Sequence, residues 1–512
     1  MNQKFRAKMQ CPCFYFLLAV VLALPPIFIT MLPAYDTAAR YAPMAQAFAA
    51  GDWAYAFHPR IPPLFPILGG GLVWLLRCDA FMGVRLASLL LFALSVFPLF
   101  ALFRRFLPLK ATCFGMLFYL FCHPLLQYVY EGLRDNGKTL AFALAAWALL
   151  SLWESPRRWR YYLILGCAVA LGALFRAELL VILGALFIVS AVRECCKKQI
   201  PYRTILGGIV ALLLLTPVAA INYHFTKIPV VDVRLIGFLP DMAQRATENI
   251  QRNKSLSVPA EAPPPIEHRD LTTGEYLNAL FAGFYPPYLA AILLGAAWRL
   301  KRKEWQTQET VLAGIVLGNA IITALLILLG ERYLYLSKRY LLPALPLAFG
   351  WGGYFAVSLW NFCREHYRKW FPVTVAVLIF VVCAGLLYGA ALGALVRNVT
   401  SKKAYAKNRA VFECAESIKQ DYQGSRRGER VFLLNSYRSN LRPFVVAPPA
   451  LDLSPALAGG SRVFSNHLAD YIVMSSQENP PSSRWRRVAE IVRFRHETFV
   501  IWGRSHTRGK EK

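Results

Sequence analysis

Acidic side chains are scarce in this chain: 29 Asp and Glu among 512 residues, against 57 Lys and Arg. Those that sit beside an arginine at the end of an apolar run therefore carry information. Asp36 precedes Arg40 and Tyr41; Glu131 and Asp135 flank Arg134; Glu178 follows Arg176; Glu331 precedes Arg332, Lys338, Arg339 and Tyr340. A carboxylate can take a proton from a hydroxyl, and guanidinium groups can hold a phosphate by two N–H bonds. For any one of these sites a helix cap or an interfacial ion pair explains the residues equally well, and Asp135 has the type that caps a helix. Four such turns on one face of a membrane are harder to explain in that way, because ionisable groups at membrane depth are expensive and mark function.

The elements that must position these residues are membrane helices. Hydrophobic residues make up 56% of the chain, charged residues only 17%, and the mean hydropathy is +0.40. Soluble domains have about 25% charged residues, so a soluble enzyme, a fibrous chain and a disordered chain are excluded. Apolar runs fall at 14–32, 81–103, 111–128, 137–153, 161–175, 178–192, 204–223, 279–298, 311–330, 340–360 and 371–396. That gives about eleven spans across roughly 30 Å of hydrocarbon. The first run contains Pro25-Pro26 and no A-x-A cleavage site, so it reads as an uncleaved helix.

Cation placement sets the orientation. With the N-terminus inside, inside loops carry Arg104, Arg105 and Lys110; Arg157, Arg158 and Arg160; Arg193, Lys197, Lys198 and Arg203; Arg299, Lys301, Arg302 and Lys303; and Arg364, Arg368 and Lys369. The positive-inside rule thus puts the N-terminus in the cytoplasm and the C-terminus outside, which in a bacterium is the periplasm of the inner membrane. All four acid–arginine turns then face outward. The net charge of +28 is explained by these loops and by the tail, and no nucleic-acid signature accompanies it. The eleven cysteines follow neither a disulfide framework nor a zinc pattern.

The expected architecture is an α-helical multi-pass membrane bundle over 1–396, with external loops at 33–80 and 224–278, and a small external α/β domain over 397–512. The 62–76 piece is apolar, short and Gly-rich, which suits an interfacial or re-entrant helix. In the tail, 404–420 suits a helix, while Arg430–Asn435, Tyr471–Met474 and Phe499–Trp502 suit strands. The tail holds 21 Lys and Arg against 10 Asp and Glu. Such a surface suits anionic lipid head groups or an anionic substrate, and equally a solvated face.

Three stretches carry a family resemblance. Asp36-Thr-Ala-Ala-Arg40-Tyr41-Ala-Pro-Met44-Ala45, then Gly51-Asp52-Trp53, then His58-Pro-Arg60-Ile-Pro62-Pro63-Leu64-Phe-Pro66 resemble the first external loop of C-type (GT-C fold) glycosyltransferases. The nearest of these are the protein O-mannosyltransferases and the lipid A aminoarabinose transferases. Arg134-Asp135 falls where that family has its second acid, and Tyr335-Leu-Ser-Lys338-Arg339-Tyr340-Leu-Leu-Pro343-Ala-Leu-Pro346 resembles a late R-Y-x-x-P-x-x-P signature. Many members carry Asp-Glu where this chain has Asp36-Thr37.

The resemblance implies an inverting transfer of a sugar from a polyprenyl-phosphate donor to a lipid, glycan or protein acceptor. Asp36 would be the base, with Asp135 positioning the acceptor. Arg60, Arg134, Lys338, Arg339 and Tyr340 would hold the donor phosphate. Arg40, Tyr41, His58, Glu131, Arg176 and Glu178 would form the acceptor side or a supporting layer. The resemblance leaves use of a divalent metal open, with Asp36 and Asp135 as the ligands if one is used. A polysaccharide polymerase or ligase would also use external Arg-rich loops, but the P-P-L loop and the soluble tail argue against it. A transporter would show inverted repeats and mid-membrane charges, and the sequence has neither.

Overall fold

The computed structural model describes residues 11–29, 36–51, 53–57, 61–154, 158–196, 201–226, 286–329, 338–366, 433–435, 471–475, 485–492 and 498–504. Helix α1 is Pro12–Ile29. A π-helical turn, Thr37–Tyr41, runs straight into α2, Ala42–Ala49, and a short α3 follows at Trp53–Ala56. Helix α4, Leu64–Leu76, coincides with the piece expected at the interface, and its end exposes Trp74, Leu75 and Leu76.

Two expected runs each contain a break: at Ser95 within one continuous span, Ala80–Phe106, and at a sharp bend in the next. The 81–103 run is α5, Ala80–Leu94, and α6, Val96–Phe106. Asp79 caps α5 by accepting from the Met82 N–H at 2.9 Å, and the Ser95 hydroxyl at the junction donates to the Leu91 carbonyl at 2.8 Å. The 111–128 run is α7, Leu109–Leu120, and α8, His123–Tyr130, bent by 47°. Pro124 sits in the first turn of α8, where its missing N–H costs nothing, so a new helix starts there instead of the old one continuing.

The next elements are α9, Asp135–Glu154; α10, Arg160–Phe175; α11, Glu178–Cys196; and α12, Tyr202–Thr226. Helices α10 and α11 are separate, with Arg176 extended between them. Then come α13, Pro286–Lys301; α14, Thr307–Leu329; α15, Lys338–Leu341; a 3-10 segment, Leu342–Ala348; and α16, Phe349–His366. The expected run at 371–396 lies outside the described residues.

Among the described residues five helical stretches are long and apolar enough to cross a membrane, and six if the bent α7–α8 pair is one span. Pro12–Phe28, Leu64–Leu76 and Arg160–Phe175 are shorter apolar helices. The chain is a predominantly helical, integral membrane protein. Its core packs α5 to α10 with α1 and α16 around residues such as Phe92, Phe103, Tyr119 and Phe349. Helices α7 and α16 meet backbone to backbone: a Cβ on Gly353 would lie 2.2 Å from the Ala111 carbonyl oxygen. Small residues are what allow helices to approach so closely in lipid.

The end of the bundle opposite the acid–arginine turns is clasped by a buried ion pair. Arg299 of α13 lies 2.7 Å from Glu309 of α14, and the Trp351 indole N–H donates to that carboxylate at 2.9 Å. In the tail, β1 (Leu433–Asn435), β2 (Tyr471–Ser475), β3 (Trp485–Val492) and β4 (Thr498–Arg504) form one sheet in the order β1-β2-β4-β3. The β1–β2 pair is parallel and the other two pairs are antiparallel. Three of these strands match the expected ones; β3 is additional, and the expected 404–420 helix lies outside the described residues.

Candidate active site

Four chain segments meet at one end of the bundle. The first turn, 131–134, is built by backbone rules. Helix α8 ends with the Leu133 N–H bonded to the Tyr128 carbonyl at 2.8 Å and the Gly132 N–H to the Val129 carbonyl at 3.0 Å. That paired closure needs a left-handed residue, and Gly132 supplies it at φ 69°. Gly132 is also crowded: a Cβ there would lie 3.0 Å from the Thr37 methyl.

Thr37 joins this turn to the segment of Asp36. Its hydroxyl is buried and lies 2.8 Å from the Glu131 carbonyl and 2.7 Å from the Gly132 carbonyl, to which it donates. Ser88 braces the same turn, donating to the Leu133 carbonyl at 2.7 Å and the Tyr128 carbonyl at 3.0 Å. Thr37→Val keeps the shape and removes the donor, whereas Thr37→Ser keeps the donor. Leaving buried carbonyls unsatisfied costs about 1–3 kcal/mol. Thr37→Val is therefore expected to lower the melting temperature and to slow catalysis by about tenfold, and Thr37→Ser to do neither. Equal melting temperatures and rates in the two variants would show that the hydroxyl does not hold the turn.

The centre of the site is Arg339. Its Nη1–H donates to Asp36 Oδ2 at 2.6 Å. Its Nε–H and Nη2–H donate to Asp135 Oδ2 at 2.9 and 2.6 Å. One guanidinium thus spans two carboxylates that are 99 positions apart in the chain. Asp135 is 0% exposed, and its other oxygen lies 3.4 Å from Arg176 Nη1 and 4.0 Å from Lys138 Nζ. Asp36 and Arg339 remain partly open, with side chains 24% and 20% exposed. Arg40 approaches Asp36 from one turn along, at 3.6 Å.

A second layer lies beneath. Arg176 Nε is 2.7 Å from Glu178 Oε1, its Nη2–H donates to the Tyr340 hydroxyl at 3.1 Å, and its guanidinium covers the Tyr340 ring at 4.5 Å. Lys138 Nζ is 3.7 Å from Glu178 Oε1 and donates to the Arg339 carbonyl at 2.9 Å. Arg134 is buried with its guanidinium 5.4 Å from the centre of the Tyr41 ring.

Burial alone would push the Asp36 carboxyl up. Arg339, followed by Arg40 and Arg134, outweighs that and holds it below its ordinary value. Asp36 is therefore ionised, and it is a weak base while Arg339 grips it.

Of the residues expected from the sequence, Asp36, Arg40, Tyr41, Arg134, Asp135, Arg176, Glu178, Arg339 and Tyr340 come together. Glu131 contributes its carbonyl to Thr37, while its carboxylate accepts from the Gln127 amide at 2.8 Å. Lys338 begins α15. His58 and Arg60, like Asp52, Glu331 and Arg332, lie outside the described residues. Two participants were missed by sequence reasoning. Lys138 stands three residues after Asp135, on the same helix face, which is a signal of shared position. Thr37 left no signal of its own.

The two candidate metal ligands do not make a metal site in this arrangement. The Arg339 guanidinium fills the space between Asp36 and Asp135, and Arg176 and Lys138 face the remaining Asp135 oxygen. A dication would have to displace one cation and sit beside others. Among the described residues no group of three or more His, Cys, Asp or Glu is arranged to hold a metal.

Residues 61–221 match the family of dolichyl-phosphate-mannose-protein mannosyltransferases. The fold is similar to that of ArnT from Cupriavidus metallidurans bound to undecaprenyl phosphate, with a TM-score of 0.58 and 14% identity over 96% of this chain and 97% of that one. An oligosaccharyltransferase of Archaeoglobus fulgidus with a tethered acceptor peptide superposes less well, with a TM-score of 0.49 and 12% identity over 90% of this chain and 69% of that one. No curated protein sequence matches the chain. Over 61–221 the chain is thus similar in sequence to the dolichyl-phosphate-mannose-protein mannosyltransferases, and as a whole it is similar in fold to ArnT.

Proposed function

We propose that the chain transfers a sugar from a polyprenyl-phosphate-linked donor to a hydroxyl of a lipid, glycan or protein acceptor. The observation that carries this reading is the Arg339 guanidinium shared by Asp36 and Asp135 at a partly open end of the bundle. It puts a phosphate ligand directly beside a carboxylate base. Asp36 takes the proton of the acceptor hydroxyl. The freed oxygen attacks the anomeric carbon from the face opposite the phosphate. The bond from that carbon to the phosphate oxygen breaks, polyprenyl phosphate leaves, and the configuration inverts.

The leaving phosphate gains a negative charge as the bond breaks. Arg339, with Arg134, Arg60 and Lys338, stabilises it, and hydrogen bonds to developing charge act most strongly in the transition state. Asp135, buried and held by two guanidinium groups, works by fixing Arg339 and is not a proton acceptor. Arg40, Tyr41 and His58 belong to the acceptor side, and Tyr340, Arg176 and Glu178 to the layer behind the phosphate. No step is routed through a metal. The family match and the fold favour transfer over polymerisation, ligation or transport.

The reading is tested by mass spectrometry of envelope glycolipids and glycoproteins from cells lacking the gene. One glycan species loses a single sugar under this reading, and an unchanged profile overturns it. The reaction belongs on the outer face of a bacterial inner membrane, with eleven spans, a cytoplasmic N-terminus and a periplasmic 397–512 domain. Reporters fused after Lys303 and after Lys512 are expected to read cytoplasmic and periplasmic respectively. A cytoplasmic tail would overturn the span count and the sidedness of the site.

A further inference from the structure

Lys138 is 1% exposed, and burying an ammonium group is costly unless it is paired and hydrogen-bonded. Its surroundings give it more than neutralisation. Nζ lies 3.7 Å from Glu178 Oε1 and 4.0 Å from Asp135 Oδ1, and 5.1 Å from the centre of the Tyr340 ring. Those contacts tie it to the first residues of α9 and α11. Its hydrogen bond reaches a third segment: Nζ donates to the main-chain carbonyl of Arg339 at 2.9 Å. Lys138 is therefore the side chain that joins the helix of Asp135 to the backbone of the residue whose guanidinium bridges both acids.

We propose that Lys138 is a positioning residue for the transfer reaction, pinning the start of α15 so that the Arg339 guanidinium stays between Asp36 and the donor phosphate. The ammonium touches neither donor nor acceptor. It acts through the Arg339 carbonyl and through the shared carboxylates. Arg176 cannot replace it, because Arg176 grips the same acids and the same ring without a bond to the Arg339 backbone. Nor can apolar packing, since a methionine of similar length lacks the N–H. Displacing a catalytic group by about 1 Å costs up to about 10²-fold in rate. The charge on the phosphate grows in the transition state, so a misplaced Arg339 lowers kcat more than it raises the donor KM.

The proposal rests on the reading that Arg339 holds the donor phosphate, and a double-mutant cycle separates the two. Transfer kinetics against a polyprenyl-phosphate sugar are measured in nanodiscs for wild type, Lys138→Met, Arg339→Lys and the double variant. Each preparation is first checked for monodispersity and thermal unfolding. Lys138→Met is expected to lose about 10- to 100-fold in kcat. In the Arg339→Lys background the same change is expected to lose little more, because the group it positions has already been altered. Losses that multiply across the cycle would make Lys138 a general structural residue and overturn the proposal. Wild-type kinetics in Lys138→Met would overturn it too. Wild-type kinetics in Arg339→Lys would instead remove the phosphate role of Arg339, and this inference with it. If Lys138→Met does not fold, Lys138→Leu, which also lacks the N–H, takes its place. Failure of both to fold would assign Lys138 to stability alone.

Discussion

Asp36→Asn is expected to slow sugar transfer by about 10²- to 10⁴-fold, the usual worth of general base catalysis, while protein level and donor binding stay near normal. Asparagine keeps the shape and still accepts a hydrogen bond from Arg339, so the bridge to Asp135 is only weakened. What disappears is the proton acceptor. Asp36 lies in a turn with its side chain partly open, so it contributes little to folding. The pH dependence carries a second signature. The kcat/KM profile reports groups of the unliganded enzyme. There Arg339, Arg40 and Arg134 hold Asp36 below the ordinary carboxylate range. Protonation of Asp36 therefore limits kcat/KM only at a pH below the range in which ordinary carboxylates titrate. Transfer by purified Asp36→Asn at the wild-type rate would remove Asp36 from the mechanism.

Arg339→Lys is expected to lose most of its activity although the charge is kept. The guanidinium spends Nε and Nη2 on Asp135 and Nη1 on Asp36. An ammonium is a compact point charge and cannot reproduce that planar fork. Truncating one partner of a buried, hydrogen-bonded charge pair costs about 2–5 kcal/mol, because the other charge is left uncompensated. Arg339→Ala leaves Oδ2 of the fully buried Asp135 without its two N–H donors, with only Arg176 and Lys138 facing the other oxygen, and is expected to be worse than Arg339→Lys in both activity and thermal stability. Rate against polyprenyl-phosphate-sugar concentration separates the roles. An interfacial anchor needs only a long cation and would leave Arg339→Lys at wild-type kinetics, which would pass the phosphate to Arg60 and Arg134.

Much of this site was legible because carboxylates are rare in a membrane chain. Asp36, Asp135 and Glu178 stood out by sidedness, and their arginine neighbours suggested a phosphate. The sequence could not say which arginine meets which acid. Arg339 is 303 positions from Asp36 and 204 from Asp135, and only the fold brings them together. The sequence also could not separate Asp135 from Asp36 in kind. Their difference is burial: one is enclosed by Arg176, Arg339 and Lys138, the other half open. Hydropathy located the helices well but not their breaks. A window of apolar residues is blind to the Pro124 that restarts the chain at α8. In the tail, β3 was missed because Trp485-Arg-Arg-Val-Ala-Glu-Ile-Val has no clean alternation until Glu490, and its pairing with β4 shifts register between Arg487 and Ala489.

On the proposed reading, the sharing of Arg339 also sets an order of addition. With the site empty, the guanidinium neutralises the very carboxylate that must accept the proton. An acceptor arriving first meets a base too weak to activate it, and so does water. A donor phosphate competes with Asp36 for Nη1, and each N–H it captures returns basicity to the carboxylate. On the proposed reading, the sugar donor thus arms the base against its own glycosidic bond only after it has docked, so that donor binding comes before activation of the acceptor.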